Sequence, residues 1–291
     1  MSRGDETPRA AGRTGEVGPK VRPDRSGPIR AEIVSIGREL LRGETADGNA
    51  AAIARALLPL GVAVDRITVV DDREEAIAEA IREALSRNPH LVVTSGGLGP
   101  GLDDRTLQGV AAALELPLTT STAARAAVEA AYGKLHEVGA IRSGGMTLVR
   151  EKLCRLPIGA RTIANRVGVT PGALCKLAGG AAVLCLPGLR NETKAVLDAA
   201  LPLLSDMGGR VRFAHREIES PTSDESSLQS LLEQLVAEYP AVRIASRTTG
   251  PCQQGRKILV SLEASAPNQQ DADGAVEQVV GRMLAIASGA R

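Results

Sequence analysis

Aromatic residues are nearly missing from this sequence: 291 residues include two tyrosines, one phenylalanine and no tryptophan. Proteins that hold single-stranded nucleic acid stack bases on such side chains, so the shortage argues against a nucleic-acid partner. Charge excess is missing too. With 35 Lys and Arg against 34 Asp and Glu, the formal charge is +1 and no overall field draws the chain to a polyanion or an anionic membrane. The four cysteines, Cys154, Cys175, Cys185 and Cys252, form no Cys-x-x-Cys pair, and His90, His136 and His215 are far apart, which disfavours a structural zinc site. Cys185, inside Ala-Val-Leu-Cys-Leu, reads as a small buried hydrophobe rather than a nucleophile. No apolar run approaches the roughly 18 residues of a membrane span, and the N-terminus lacks the apolar segment of a secretory signal. A cytoplasmic protein with no membrane partner is expected.

What the chain does have is a glycine-rich turn. Residues 94–106 read Thr-Ser-Gly-Gly-Leu-Gly-Pro-Gly-Leu-Asp-Asp-Arg-Thr. Leu91, Val92 and Val93 before it suit a buried strand, while Leu107, Val110, Ala111 and Leu114 after it recur at helical spacing, with Asp103 or Asp104 as the expected cap. A strand, a glycine turn and a helix N-terminus present backbone N–H groups to an anion, and a nearby carboxylate suits a divalent cation that neutralises a diphosphate. By spacing alone the same residues equally suit an ordinary capped turn without a ligand. The pattern is neither a Walker loop nor the dinucleotide Gly-x-Gly-x-x-Gly.

The surrounding pattern predicts an α/β protein. Residues 1–30 mix Gly, Pro, Arg and acids without apolar periodicity, and a flexible tail is expected there. Strands are predicted at 31–36, 62–70 and 91–94, with helices at 49–60 and 73–86 between them. That βαβαβ order implies a doubly wound, mostly parallel sheet in three αβα layers, whose ligands bind beyond the carboxyl ends of the strands. Helices follow at about 103–115 and 122–137. A strand at 181–186 breaks at Pro187-Gly188 into a helix at 191–204, repeating the design of the first turn, so the two turns could face one cleft. From residue 206 a βαββα pattern predicts a second, smaller α+β domain: strands at 211–219, 242–246 and 257–264, a helix capped by Ser223 and running to about Glu238, and a last helix at 271–287. This domain, with no concentrated polar site, suits structural support or subunit contact. The expected organisation is a tail at 1–30, a site domain at 31–205 and the small domain at 206–291.

Three strand ends bring acids toward the glycine turn. Glu39 follows the first strand, Asp71 and Asp72 close the second, and Asp104 follows the third. Each alone suits a helix cap or a solvated charge; their convergence is the arrangement of a magnesium-dependent phosphoryl or nucleotidyl site.

These residues resemble a known family. Ile36-Gly37-Arg38-Glu39-Leu40-Leu41-Arg42-Gly43, Asn49-Ala50, Val70-Asp71-Asp72, the turn at 94–106, the stretch Asn165 to Gly172 and Leu186 to Glu192 follow, in order, the pattern of the N-terminal part of competence/damage-inducible protein A. The resemblance covers about 31–205 and extends to the βαββα segment. It implies a molybdopterin-binding-like fold, an ADP-ribose pyrophosphatase type of activity, a divalent metal (magnesium, manganese or cobalt) and a homodimer. Asp72 and Asp104 match the two acids essential in the related molybdopterin adenylyltransferases and are the implied catalytic pair. Ser95, Gly96, Gly97 and Gly99 match their phosphate turn; Gly37, Asn49, Asn165, Gly168, Gly172, Pro187, Gly188 and Glu192 are the further candidates for phosphate or nucleotide binding. Asp104, Asp103 and Glu39 are the candidate metal ligands.

The chain also departs from the pattern. Arg38 stands where the family has an aspartate, Arg166 and Arg190 where it has proline, and Gly101 where it has threonine. Three of these changes are to arginine, which favours anions over metal. The longer relatives' amidase domain has no counterpart here, so deamidation of nicotinamide nucleotide is not expected. Three readings stay open: a metal-dependent hydrolase of a nucleoside diphosphate linked to a sugar, a pterin- or nucleotide-binding protein without turnover, and a molybdopterin adenylyltransferase-like enzyme.

Overall fold

The computed structural model describes residues 16–24, 28–204, 211–222, 224–249 and 257–287. Its elements run β1 (Ile29–Ile36), α1 (Arg38–Leu41), α2 (Gly48–Leu57), β2 (Val62–Val70), α3 (Glu74–Ser86), β3 (Leu91–Ser95), α4 (Thr106–Leu114), β4 (Leu118–Thr120), α5 (Thr122–Glu137), α6 (Leu148–Glu151), β5 (Arg155–Pro157), β6 (Arg161–Ile163), β7 (Gly172–Lys176), β8 (Ala182–Leu186), α7 (Arg190–Leu204), β9 (Arg212–Glu219), α8 (Glu225–Glu238), β10 (Val242–Thr249), β11 (Lys257–Ala266) and α9 (Gln269–Ala287). A single 3-10 turn, Leu58–Leu60, ends the helix expected at 49–60 because Pro59 lacks the N–H that would continue it.

The larger sheet has the order β2-β1-β3-β8-β7-β6 and is mixed, mostly parallel. β3 runs parallel to β8 and every residue of both strands is buried, as a strand covered on two faces requires. The Val17–Leu177 bridge and the antiparallel β6–β7–β8 edge add what the βαβ pattern did not forecast. β4 and β5 pair separately. On α3, Ile77, Ala78, Ala80, Ile81, Ala84 and Leu85 make one buried stripe, and Gly109 of α4 lets the two helices approach: a Cβ there would lie 2.7 Å from Ile77 Cβ. Burying Ile77 completely contributes about 1.5–3 kcal/mol.

The expected flexible tail is corrected over residues 16–24. Val17 N–H donates to Lys176 O at 2.9 Å, Val21 N–H donates to Ala178 O at 2.7 Å, and Val21 is buried in the core of the larger sheet. Two isolated valines in a polar stretch show no periodicity, which is why the pattern concealed them. Residues 1–15 and 25–27 lie outside the described residues.

The chain forms two compact units. One takes in Glu32–Asn49, Ile67–Ala200 and the described part of Met1–Pro23; the other takes in Ala50–Arg66 and the described parts of Asp24–Ala31 and Leu201–Arg291. Residues 50–66 group with the C-terminal elements in this division, and Gly61, in the left-handed region at φ 76°, lies against the carbonyl of Val211. In this second unit β10, β11 and β9 form an antiparallel sheet in that order. One face of β11 is buried through Ile258, Val260, Leu262 and Ala264, against Leu228 and Leu235 of α8 and Val276, Val279 and Met283 of α9. Asp224 caps α8, its carboxylate accepting from Ser226 N–H at 3.1 Å and Ser227 N–H at 3.2 Å. Ser223, the expected cap, lies outside the described residues.

Candidate functional site

The two glycine turns meet. β3 and β8 are parallel neighbours, so the turns after Ser95 and Leu186 emerge side by side; Gly96 N–H donates to Leu186 O at 3.1 Å, and a Cβ on Gly188 would lie 3.4 Å from Gly96 Cα. Gly96 has φ 107° and Gly97 φ 62°, conformations that side chains with a Cβ rarely adopt. Each turn is tied by a buried threonine from the first turn of the following helix. Thr106 Oγ1 donates to Gly96 O at 2.7 Å and Thr193 Oγ1 donates to Pro187 O at 2.7 Å.

Around these turns lies a cleft of about 480 Å³ lined by Gly37, Glu39, Asp72, Gly96, Gly97, Gly99, Asp103, Asp104, Pro187, Gly188 and Glu192, with Ile36, Pro100, Val169, Thr170 and Leu189 between them. Eleven of the sequence-derived candidates therefore share one wall system. Ser95 and Asn49 sit at an adjoining hollow of about 300 Å³. Asn49 Nδ2 is 3.2 Å from Ser95 Oγ and 2.7 Å from Gly188 O, so it latches one turn to the other.

Three candidates act differently from a ligand contact. Asn165 Oδ1 accepts from Val167 N–H at 3.1 Å and Gly168 N–H at 3.0 Å, and its Nδ2 lies 2.9 Å from Thr170 O and 2.6 Å from Glu192 Oε2. Asn165 thus braces its own loop and aims Glu192. Gly168 leaves room for the Glu192 carboxylate, which a Cβ would strike. Gly172 is buried in β7, where a Cβ would lie 2.8 Å from Cys185 O; it serves packing.

The capping expectation for Asp103 or Asp104 is corrected. α4 starts at Thr106 with Arg105 at the cap position and no side-chain capping bond, because Asp104 turns back instead: its Oδ2 accepts Gly101 N–H at 2.7 Å. The carbonyl of the same Gly101 accepts from Lys152 Nζ. Burial lowers the Lys152 pKa from its ordinary value, opposed by the charges of Asp104 and Asp103. Lys152 lies in a second hollow of about 430 Å³ on the far side of the turn, which shares Gly97, Gly99 and Asp104 with the main cleft. Sequence reasoning missed Lys152, since a lysine between a short helix and a short strand carries no motif. Thr106 and Thr193 stand 10 and 6 residues after the carbonyls they tie, so no common spacing announces them in the sequence.

Asp71 and Asp72 are bound by one cation. Arg38 Nη2 lies 3.0 Å from Asp71 Oδ1 and 3.0 Å from Asp72 Oδ1. Contact with Asp72 and then the Arg38 guanidinium hold the Asp71 carboxyl below its ordinary range, whereas burial and then Asp71 push Asp72 above it. The acids expected to hold a metal, Asp104, Asp103 and Glu39, do line the main cleft. Among the described residues, however, no three His, Cys, Asp or Glu side chains are grouped to hold a metal ion. With Asp72 paired to Arg38 and Asp104 to Gly101, the donor set as arranged does not fit a protein cage for a divalent cation. Cys154, Cys175 and Cys185 are buried free thiols; burial pushes Cys185 up to about 12, in keeping with an inert packing role, and Cys252 lies outside the described residues.

This cleft falls wholly within a stretch, residues 32–206, that matches the protein family described as a probable molybdopterin binding domain. The chain belongs to that family. A Pyrococcus horikoshii protein is 37% identical over 223 residues, 76% of this chain and 85% of its own length. A Pyrobaculum calidifontis protein is 33% identical over 257 residues, 88% of this chain and 95% of its own. The crystal structure of the protein CinA, of unknown function, from Thermoplasma acidophilum matches at 36% identity with a TM-score of 0.54, covering 61% of this chain and 98% of that one. The molybdopterin-binding-like, CinA-like character of this part of the chain is thus shown, and so is its three-layer α/β fold. No helix among the described residues is long and apolar enough to cross a membrane.

Proposed function

We propose that the main cleft binds a pterin or nucleotide through its phosphate or diphosphate, in a role akin to molybdopterin biosynthesis. The observation that carries this reading is the meeting of the glycine turns after β3 and β8 inside the region matched by the molybdopterin-binding family. Bare turns held open by Thr106 and Thr193 let backbone N–H groups reach non-bridging oxygens, which is how anions are bound without a basic side chain at every oxygen. The adjoining hollows give the organic part of the ligand a place beside the phosphate. Glu192, aimed by Asn165, is an acceptor for ligand N–H or hydroxyl donors.

A second reading, cleavage of a phosphoanhydride such as that of ADP-ribose, is favoured by Asp72 and Asp104 lining the same cleft. Burial raises the Asp72 pKa, the direction that suits a carboxyl exchanging a proton with a leaving group or water.

Calorimetry with pyrophosphate, AMP, ADP-ribose and molybdopterin, together with assays for AMP release from ADP-ribose and pyrophosphate release from ATP plus molybdopterin, tests both. Binding of pterin or nucleotide without AMP release supports the first reading, and pyrophosphate release makes it an adenylyl transfer. AMP release lost in Asp104→Ala selects the second; no binding of any of the four ligands overturns both.

A further inference from the structure

Two adjacent carboxylates beside the cleft proposed to bind an anion would repel the ligand that the turns attract. Asp72 lines the cleft itself, and Asp71 stands beside it. The structure answers this repulsion with a side chain. One terminal nitrogen of Arg38 sits 3.0 Å from an oxygen of each acid, and Arg73 Nε lies 3.9 Å from the other Asp71 oxygen. Arg38 opens α1 between Gly37 and Glu39, which line the cleft, and itself lines an adjoining hollow of about 700 Å³ that shares Glu39, Asp72 and Asp103 with the cleft. Its side chain is 48% exposed, and because one nitrogen makes both ion-pair bonds, the planar fork keeps donors for an oxyanion.

A divalent ion bridging this pair through Asp71 Oδ1 and Asp72 Oδ1 would stand against the guanidinium, while the other Asp71 oxygen already faces Arg73. Cation and Arg38 are therefore alternatives at one position. We infer that Arg38 is the resident counter-cation of the cleft: it occupies the position between Asp71 and Asp72 that a divalent metal would take, and it lets the cleft accept a phosphate or diphosphate without one. The phosphate half of this inference rests on the proposed function; the exclusion of metal from the acid pair does not.

Manganese alone tests that second half. In the wild type, an equimolar Mn²⁺ titration followed by electron paramagnetic resonance leaves the free-ion signal unchanged. Arg38→Ala removes one equivalent, and Arg38→Ala combined with Asp72→Asn releases it again. Arg38→Gln, which keeps most of the side-chain length, repeats the test should the alanine variant unfold. Calorimetry with pyrophosphate in EDTA then reads the first half: loss of the guanidinium weakens binding about tenfold, and Mn²⁺ restores it in the variant while leaving the wild type unaffected. A wild type that binds Mn²⁺ through Asp72, an Arg38→Ala protein that gains none, or unchanged pyrophosphate binding in EDTA overturns the inference. Absence of pyrophosphate binding by the wild type in every buffer defeats the phosphate reading instead, and the manganese result still decides what Arg38 does.

Discussion

Asn165, on the loop before β7, is joined to Glu192 in the first turn of α7, with the asparagine amide nitrogen 2.6 Å from Glu192 Oε2. The asparagine is an internal brace and the glutamate is the group it presents. Asn165→Ala removes bonds to Val167, Gly168, Thr170 and Glu192 together, so a loss of about 1–3 kcal/mol is expected in urea unfolding, with weaker ligand binding. Glu192→Gln keeps the bond as an amide-to-amide contact and is expected to change ligand affinity with little change in stability. Equal losses of stability in the two variants would show that Glu192 is only scaffold.

Gly101 relays Lys152 to Asp104: its carbonyl accepts from the ammonium and its N–H donates to the carboxylate. Lys152→Met keeps the stem and removes the donor, freeing the turn that carries Asp104. Pyrophosphate affinity is expected to fall about tenfold, as for the loss of one charged hydrogen bond, and Asp104→Ala to fall at least as far. Titration calorimetry of the two single variants and the double variant checks the relay; strictly additive losses would mean that the two residues act independently.

Gly96→Ala places a Cβ against Ile36 O in a backbone with φ 107°. A cost of about 1–3 kcal/mol is expected from the backbone strain alone, with more from the collision. Gly188→Ala meets only an ordinary contact at 3.4 Å with Gly96 Cα and is expected to be milder. Urea midpoints of the two variants decide the order.

Glu238 accepts two bonds from Arg282, at 2.8 and 3.1 Å, and its pKa is lowered from an ordinary 4.5 to about 2, first by Arg282 and then by Gln234. A depressed carboxyl stabilises the folded state when ionised. Its contribution is complete above the unfolded value of 4.5 and is lost as the pH falls toward about 2. Glu238→Gln is therefore expected to flatten the acid side of the stability curve between those values and to leave the slope at neutral pH unchanged. Unfolding midpoints at successive pH values measure it.

Legibility in the sequence followed the kind of force at work. α5 was read at both ends, 122 and 137, since its helical periodicity is sustained and Ser121 supplies a side-chain cap to Ala124 N–H. β2 was read in full because apolar residues bound it and Gly61 precedes it. β6 and β7 were missed: at three and five residues they make strands only by pairing, β6 with β7 and β7 with β8. The site was legible where glycine and acid recur together at strand ends. It was not legible where a residue's partner is distant, as with Lys152 and Gly101, or where a motif asparagine faces inward rather than toward a ligand. Arg38 was seen as a charge in the wrong place; only its two bonds show what it balances.

The pairing of Val17 with Leu177 determines where this chain can be shortened. A truncation chosen by composition would begin at residue 31 and would strip Val21 from the core and Val17 from beside Gly159, leaving the carbonyls of Lys176 and Ala178 at the end of β7 without the N–H groups they accept from. Shortened proteins made for crystallisation or labelling should keep everything from Glu16 onward, whose carboxylate accepts from Gly179 N–H. Residues 16–24 are thus a fitted part of the larger sheet's support, and their removal would be read, wrongly, as instability of the cleft.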